Sequence, residues 1–131
     1  MTSPIKILLC GAIALAASAE TALAGDAAAG EKAFKKCLVC HEIGAVAKNK
    51  VGPVLNGLDG RKAGTIPGYS YTAHNKNSGI LWGEAVFKEY IKDPQAKIPG
   101  TTMVGVKARN EKEAEDLWEY IKQFEADGKK K

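Results

Sequence analysis

Two cysteines and a histidine lie close together in the sequence CLVCH, which spans residues 37–41. Cys37 and Cys40 are separated by two residues, and His41 follows directly. Such a group occurs in redox-active disulfides, in zinc sites and where haem is covalently attached to a chain. In the haem case the two thiols form thioether bonds with the two vinyl groups on one edge of the porphyrin, and the histidine then lies under the iron.

The rest of the chain favours haem attachment over the other two possibilities. A structural zinc site needs four ligands, and the only further histidine or cysteine after residue 24 is His74. His41 is adjacent to Cys40, which makes joint tetrahedral binding of one ion awkward. A thioredoxin-like disulfide requires a strand before the motif, whereas a helical pattern precedes it here. We therefore expect haem c on Cys37 and Cys40, with His41 as an iron ligand.

A second axial ligand can be found by elimination. After residue 24 the chain contains one methionine, Met103, and one histidine besides His41. Met103 lies in KIPGTTMVGV, where a Pro-Gly turn and small residues indicate a loop, so a simple core-filling role is not expected. His74 lies among polar turn residues and is expected to be exposed. Met103 is therefore the expected second ligand of the iron.

The first 24 residues have the features of a secretory signal peptide. Lys6 supplies a positive charge, an uncharged apolar run follows at 7–17, and Ala22-Leu23-Ala24 matches a cleavage site. The apolar run is too short to span a bilayer. We therefore expect export to the bacterial periplasm, a mature domain at 25–131 and no membrane-spanning segment after cleavage.

The net charge of +4 is mildly basic. Such a charge favours an acidic protein partner, and it is too small and too dispersed to indicate binding of nucleic acid. The lysines that flank the CLVCH motif in sequence and could steer such a partner are Lys35, Lys36, Lys48 and Lys50. The three lysines at 129–131 are expected to form a solvated end.

The N-terminal half of the mature chain predicts one helix followed by a long loop. Asp26 can cap a helix with its carboxylate, and the apolar spacing that follows is helical. That spacing places Cys37 and Cys40 in the last turn of this helix. The segment 42–67 is rich in glycine and turn residues, so coil is expected there. In a small domain such a long loop must pack around an apolar core, and haem would supply that core.

Two more helices are predicted in the C-terminal half. One spans 84–92 and is ended by Asp93-Pro94, because the residue before a proline disfavours helical backbone. The other spans 111–126, with Asn110 as its cap and Gly128 beyond its end. No alternating strand pattern, repeat or second domain is evident, so the sequence predicts a single all-α domain.

The chain resembles class I cytochrome c, and most closely the small bacterial cytochromes c2, which are similar to mitochondrial cytochrome c. The resemblance covers nearly all of residues 25–124 and is carried by CLVCH, VGPVLNGLDGRKAG, PGYSYTAHNKNSGILW, EYIKDPQAKIPGTTM and DLWEYIKQF, in the family's order. It implies an all-α fold in which the N- and C-terminal helices cross and loops surround one haem. It also implies covalent haem at Cys37 and Cys40, with His41 and Met103 as iron ligands.

The resemblance assigns further residues to the site. The positions that match residues around the family's buried propionates are Arg61, Tyr71, Asn75 and Trp82. Those that match residues hydrogen-bonded near the methionine ligand and the haem are Tyr90 and Thr101. Those at the helix crossing are Gly30, Phe34, Leu117 and Tyr120. The carbonyl of Pro53 would accept a hydrogen bond from His41 and orient its ring.

Two differences from the family pattern lie near Met103. Relatives often carry an aromatic residue just after the methionine that covers the haem edge, and MVGVKA has none. Relatives also often carry lysines beside the methionine loop, where this chain has Gln95, Ala96 and Thr102 and keeps Lys97. The surface lysines with which relatives dock their partners are therefore expected to be fewer on this side.

The resemblance implies a soluble, monomeric electron carrier that is not an enzyme and cycles one haem between Fe(III) and Fe(II). Its expected partners are a cytochrome bc1 complex as donor and a terminal oxidase, a photosynthetic reaction centre or a dehydrogenase on the other side. The alternative is a small-ligand-binding or peroxidase-type haem protein, which would require that Met103 is not a ligand. The sequence shows no obvious distal acid–base pair for it, and Tyr90 is a weak candidate.

Overall fold

The first and last long helices cross each other in the computed structural model, which describes residues 25–131. The helices are α1 (Ala27–Phe34), α2 (Ala73–Lys76), α3 (Glu84–Lys92), α4 (Pro94–Lys97) and α5 (Glu111–Ile121), with a 3₁₀ turn at Cys37–Val39. Within these described residues no β-strand forms, and two isolated bridges pair Lys62 with Leu81 and Phe124 with Lys130. The predicted all-α class is confirmed.

The crossing of α1 and α5 depends on Gly30. A Cβ atom added there would lie 1.9 Å from the carbonyl oxygen of Asp116, so only glycine lets the two backbones approach this closely. Beside it the rings of Phe34 and Tyr120 pack with centroids 5.2 Å apart, and Leu117 is fully buried. The residues that the resemblance placed at the crossing lie there.

Helix α1 begins as predicted and ends earlier than predicted. The Asp26 carboxylate accepts hydrogen bonds from the backbone N–H groups of Ala28 and Ala29, which confirms it as the cap. After Phe34 the backbone tightens, and Lys35 N–H bonds to the carbonyl only three residues back. Cys37 therefore begins a separate 3₁₀ turn, and the prediction that both cysteines lie in the last turn of α1 was wrong.

The prediction for α3 agrees with the structure, whereas α2 and α4 were not predicted. Helix α3 spans Glu84–Lys92 and stops at Asp93, before the proline. The Asp93 carboxylate then caps α4 by accepting from Ala96 N–H at 3.2 Å, with Pro94 as the first helical residue. Helices of four residues are too short to show an apolar period, so the sequence could not reveal them.

The start of α5 was predicted correctly and its end was not. The Asn110 side chain accepts from Glu113 N–H at 2.9 Å and so caps the helix. The helix ends at Ile121 rather than at 126, although the apolar spacing continues to Phe124. Phe124 is buried by a turn in the chain instead, in which Gly128 adopts a φ of +80°.

The lysines at 129–131 are solvated, as predicted, although the segment that carries them folds back onto the protein. Lys131 N–H donates to the carbonyl of Gln123 at 2.8 Å, which folds the last residues back along the chain. The ammonium of Lys130 lies over the rings of Tyr120 and Phe124, 5.9 and 5.5 Å from their centroids. The lysine side chains are exposed, but the backbone that carries them is anchored.

No helix within residues 25–131 combines the length and apolarity that crossing a membrane requires. The predicted signal peptide, residues 1–24, lies outside the described residues.

Candidate haem-binding site

A cavity of about 450 Å³ opens between the loops and helices α3 and α5. This volume lies within the range of roughly 300–1,000 Å³ that is usual for ligand sites. Buried apolar side chains form part of its lining, namely Leu58, Phe87, Ile91 and Ile121. The sequence-predicted site residues all line the same cavity: Cys37, Cys40, His41, Arg61, Tyr71, Trp82, Thr101 and Met103.

The two cysteines are free thiols held close together by the 3₁₀ turn. Cys40 N–H donates to the carbonyl of Cys37 at 3.1 Å, and burial raises the pKa of the Cys37 thiol to about 11. Within residues 25–131 no three Cys, His, Asp or Glu side chains are grouped so that they could hold a metal ion. A closed zinc site around the CLVCH motif is therefore not supported.

His41 is oriented by the backbone of the next loop. Its Nδ1 lies 2.7 Å from the carbonyl oxygen of Pro53, and because a carbonyl can only accept, Nδ1 carries the proton. Nε2 is then left with a lone pair. Burial lowers the pKa of His41, which favours the neutral imidazole that binds metals. The contact with Pro53 is the one that the resemblance implied.

Met103 is held at its sulfur and at its backbone. The Tyr90 hydroxyl donates to Met103 Sδ at 3.3 Å, and Thr101 Oγ1 accepts from Met103 N–H at 3.3 Å. Burial raises the pKa of Tyr90, so the phenol keeps its proton and remains a donor. The thioether is thus fixed at the cavity by residues that the resemblance had placed near it.

A cationic hydrogen-bond donor, Arg61, lies in another part of the cavity lining. Arg61 Nη1 donates to the carbonyls of Val54 and Asn56, both at 3.0 Å. Its other guanidinium nitrogens make no hydrogen bond to any residue in the described part of the chain. Burial lowers the pKa of Arg61, but a guanidinium stays charged at neutral pH. The remaining donors of Arg61 suit an anionic group such as a carboxylate.

Tyr71 and Trp82 complete this polar part of the site. The Tyr71 hydroxyl accepts from Ile66 N–H at 3.1 Å. The backbone N–H of Trp82 donates to the carbonyl of Arg61 at 2.8 Å, and the rings of Trp82 and Tyr90 pack edge to face with centroids 5.0 Å apart. Trp82 therefore links the segment that carries Arg61 to α3.

The residues present fit a haem c group. The lining combines two thiols close together, one imidazole nitrogen with a free lone pair, one thioether and a cationic guanidinium. Histidine and methionine are the axial ligands of c-type haem, and a guanidinium pairs with carboxylates such as propionates. Cys37, Cys40, His41 and Met103 are the residues that would hold the group, with Arg61 at its acidic edge.

The lysines near the motif are less available than the sequence suggested. The Lys36 ammonium lies 2.7 Å from a carboxylate oxygen of Glu113 and also bonds to the carbonyl of Lys107. The Lys50 ammonium donates to the carbonyl of Leu38 at 3.0 Å. Of the four lysines predicted to steer a partner, Lys36 forms an ion pair within residues 25–131, whereas Lys35, Lys48 and Lys50 form none there.

His74 is exposed, as predicted, but it lies on α2 rather than in a turn. It borders a shallow depression that also includes Lys97 and Ile98, and it does not line the haem-sized cavity. Two residues that matter for the site were not singled out from the sequence for the roles they have here. Gly52 lies against His41, and the Gln95 side chain bonds to the backbone around Met103.

Comparisons with known proteins agree with this geometry. The cytochrome c family model matches residues 27–125. The chain is 61% identical to cytochrome c2 of Blastochloris viridis over 127 residues, which cover 97% of this chain and 100% of that protein. It is 64% identical to cytochrome c-550 of Bradyrhizobium diazoefficiens over 103 residues, 79% of this chain and 76% of the relative.

A solved structure of cytochrome c2 from Rhodospirillum centenum has the same fold. It superposes with a TM-score of 0.72 at 40% identity, covering 77% of this chain and 99% of that one. The chain therefore belongs to the cytochrome c family of haem-containing electron carriers, as a class I member similar to the bacterial cytochromes c2.

Proposed function

We propose that this chain is a periplasmic carrier of single electrons that acts as a monomer and is not an enzyme. In this proposal residues 1–24 are removed as a signal peptide and residues 25–131 form the carrier domain. One haem c is attached through Cys37 and Cys40, with His41 and Met103 as iron ligands. The proposal is carried by one observation: both thiols, the imidazole and the thioether line a single cavity of haem-compatible size.

Each residue has a distinct part in electron transfer under this proposal. The bound haem supplies a one-electron couple, Fe(III)/Fe(II). Met103 contributes a neutral, soft sulfur, which favours the reduced state more than a second imidazole would. The Pro53 carbonyl fixes the tautomer and direction of His41, and Tyr90 holds the Met103 sulfur in place. Because these groups need not move between the two states, little reorganisation is required.

The surface around the cysteines is where we place the contact with redox partners. Leu38 and Val39 lie between the cysteines and are 45% and 72% exposed, and neither lines the cavity that haem would fill. Lys35 and Lys48 add positive charge nearby in sequence. Exposed apolar side chains, with lysines nearby in sequence that form no ion pair within residues 25–131, suit short-lived docking with acidic proteins. The proposed partners are a cytochrome bc1 complex and an oxidase, reaction centre or dehydrogenase.

Two measurements on the exported protein test the proposal. Mass spectrometry is expected to show one macrocycle covalently added to residues 37–40. The ferric protein is expected to show the weak absorption band at the red end of the spectrum that reports iron–sulfur ligation, and Met103→Ala should lose it. Absence of the added macrocycle would overturn the proposal. A red protein that lacks this band already in the wild type would favour the small-ligand-binding or peroxidase-type alternative.

A further inference from the structure

The segment that carries Met103 has little backbone support of its own. Between α4 and α5 the chain forms neither helix nor strand, and Gly100 and Gly105 turn it with φ values of +87° and +76°. Thr101 N–H bonds back to the carbonyl of Ile98 at 3.0 Å, and Thr101 Oγ1 accepts from Met103 N–H. The carbonyls of this stretch therefore need partners from elsewhere.

Gln95 supplies those partners. Its Nε2 donates to the carbonyl of Thr101 at 2.7 Å and, over a longer distance of 3.4 Å, to the carbonyl of Met103. Within residues 25–131 no other side chain bonds to either carbonyl. One carboxamide thus bonds to the carbonyls of the two residues that flank Thr102.

The helix that carries Gln95 is fixed to the body of the protein. Helix α4 is capped by the Asp93 carboxylate, and Pro94 at its start is buried. Ile98, directly after the helix, is only 2% exposed. Gln95 therefore reaches from an anchored element to a loop that is otherwise held by short local bonds.

We propose that Gln95 is a positioning residue for Met103: its carboxamide keeps the loop closed and so limits how often the sulfur leaves the iron. The proposal rests on the proposed function in one respect, the ligand role of Met103. Tyr90 restrains the sulfur from inside the protein, whereas Gln95 restrains the backbone from the exposed side. Loss of the Gln95 contact frees the loop without removing any atom of Met103.

Opening of the loop can be measured as competition between the Met103 sulfur and an external ligand for the iron. A small external ligand binds the iron only in molecules whose sulfur has left, so its apparent affinity rises with the population of the open loop. A hydrogen bond of this kind contributes enough to change that population by about fivefold to tenfold. Imidazole is a suitable probe because it is largely uncharged at about pH 8.

The matched variants are Gln95→Glu and Gln123→Glu, which make the same chemical change at two places. Gln123 does not line the cavity, and its side chain makes no hydrogen bond within residues 25–131. For the ferric haem protein we expect Gln95→Glu to bind imidazole about fivefold to tenfold more tightly than wild type. Gln123→Glu should bind as wild type. Gln95→Ala, which adds no charge, should shift in the same direction as Gln95→Glu.

A second readout separates loop opening from general loss of stability. The red-end absorption band should disappear at a lower temperature in both Gln95 variants, while the far-ultraviolet circular dichroism keeps its wild-type melting curve. Wild-type imidazole affinity in both Gln95 variants would overturn the inference and leave the proposed function intact. Tight imidazole binding already in the wild type, with no effect of Met103→Ala, would instead refute the ligand role of Met103.

Discussion

The backbone of Gly52 lies directly against the imidazole of His41. A Cβ atom placed on Gly52 would be 2.3 Å from Cε1, 2.6 Å from Nδ1 and 2.7 Å from Nε2 of the ring. Gly52 does not have a positive φ, so its backbone conformation is open to any residue. Glycine is required here because the ring occupies the space that a side chain would need.

Gly52→Ala should therefore turn or displace the His41 ring. We expect altered electron paramagnetic resonance g-values and shifted paramagnetic proton resonances in the ferric haem protein, together with a loss of stability of about 1–3 kcal/mol. The control is Gly83→Ala, since Gly83 also lacks a positive φ and a Cβ there would meet nothing within 4 Å. Wild-type spectra in Gly52→Ala would contradict the prediction.

Tyr90→Phe should lower the reduction potential. The hydroxyl donates to the Met103 sulfur at 3.3 Å, and this bond reduces the electron density that the sulfur can give to the ferric state. Without it the oxidised form gains stability, and we expect a decrease on the order of 10–50 mV. A redox titration measures the change.

Tyr120→Phe is the matched control for this experiment. The Tyr120 hydroxyl makes no hydrogen bond within residues 25–131, and the residue does not line the cavity. Its removal should leave the potential unchanged. Equal shifts in the two variants would show that the effect of Tyr90 does not pass through Met103.

Glu113→Gln should destabilise the protein at neutral pH and lose that effect in acid. Burial alone would raise the pKa of Glu113, but hydrogen bonds from Lys36 and from Arg109 N–H, each at 2.7 Å, outweigh it and lower the pKa. A lowered folded pKa gives stability that is present above the unfolded value of about 4.3 and is lost as the pH falls through the folded value.

We therefore expect Glu113→Gln to cost about 1.5–3 kcal/mol near pH 7. The difference from wild type should shrink below about pH 4. Denaturant titrations at several pH values measure this. Glu125→Gln removes the same charge from an exposed carboxylate with no ion pair in the described part of the chain, and it should have little effect at any pH. A difference for Glu113→Gln that persists undiminished in acid would rule out the ionic origin.

Gly128→Ala should lower the stability of the fold more than the position of Gly128 near the C-terminus suggests. Its φ of +80° disfavours alanine, and the added Cβ would lie 2.1 Å from the carbonyl oxygen of Gly44. We expect a loss of about 2–4 kcal/mol from strain and displacement together. Gly79→Ala is the control, because Gly79 has a φ of +70° with nothing within 4 Å and should show the backbone cost alone, about 1 kcal/mol. Equal losses would mean that the contact with Gly44 is unimportant.

Local signals in the sequence predicted the long helices well. Asp26 and Asn110 marked helix starts because their side chains satisfy free backbone N–H groups, and Asp93-Pro94 marked the end of α3. The end of α5 was missed because Phe124 continues the apolar spacing, although it is buried by the returning chain rather than by a helix. The apolar spacing indicates which residues are buried, but it does not indicate which part of the chain buries them.

The site residues were predicted from the CLVCH motif, from elimination and from resemblance, and all of them line one cavity. The side-chain contacts between distant segments were not predicted. Nothing in the sequence pairs Lys36 with Glu113 or connects Gln95 to the carbonyl of Thr101. Such contacts depend on where α4 and α5 place their side chains in space, which no spacing along the chain encodes.

The loop after His41 makes more hydrogen bonds to distant parts of the chain than the loop that carries Met103. The Asn56 side chain bonds to both the N–H and the carbonyl of Gly44, and Gly57 N–H bonds to the carbonyl of Phe124 in the returning C-terminus. Heat or denaturant should therefore unfold the protein in two stages, and the loop that carries Met103 should unfold first. In the intermediate His41 would still be held while Met103 would not. Small molecules could then bind the iron of the proposed electron carrier and block its function.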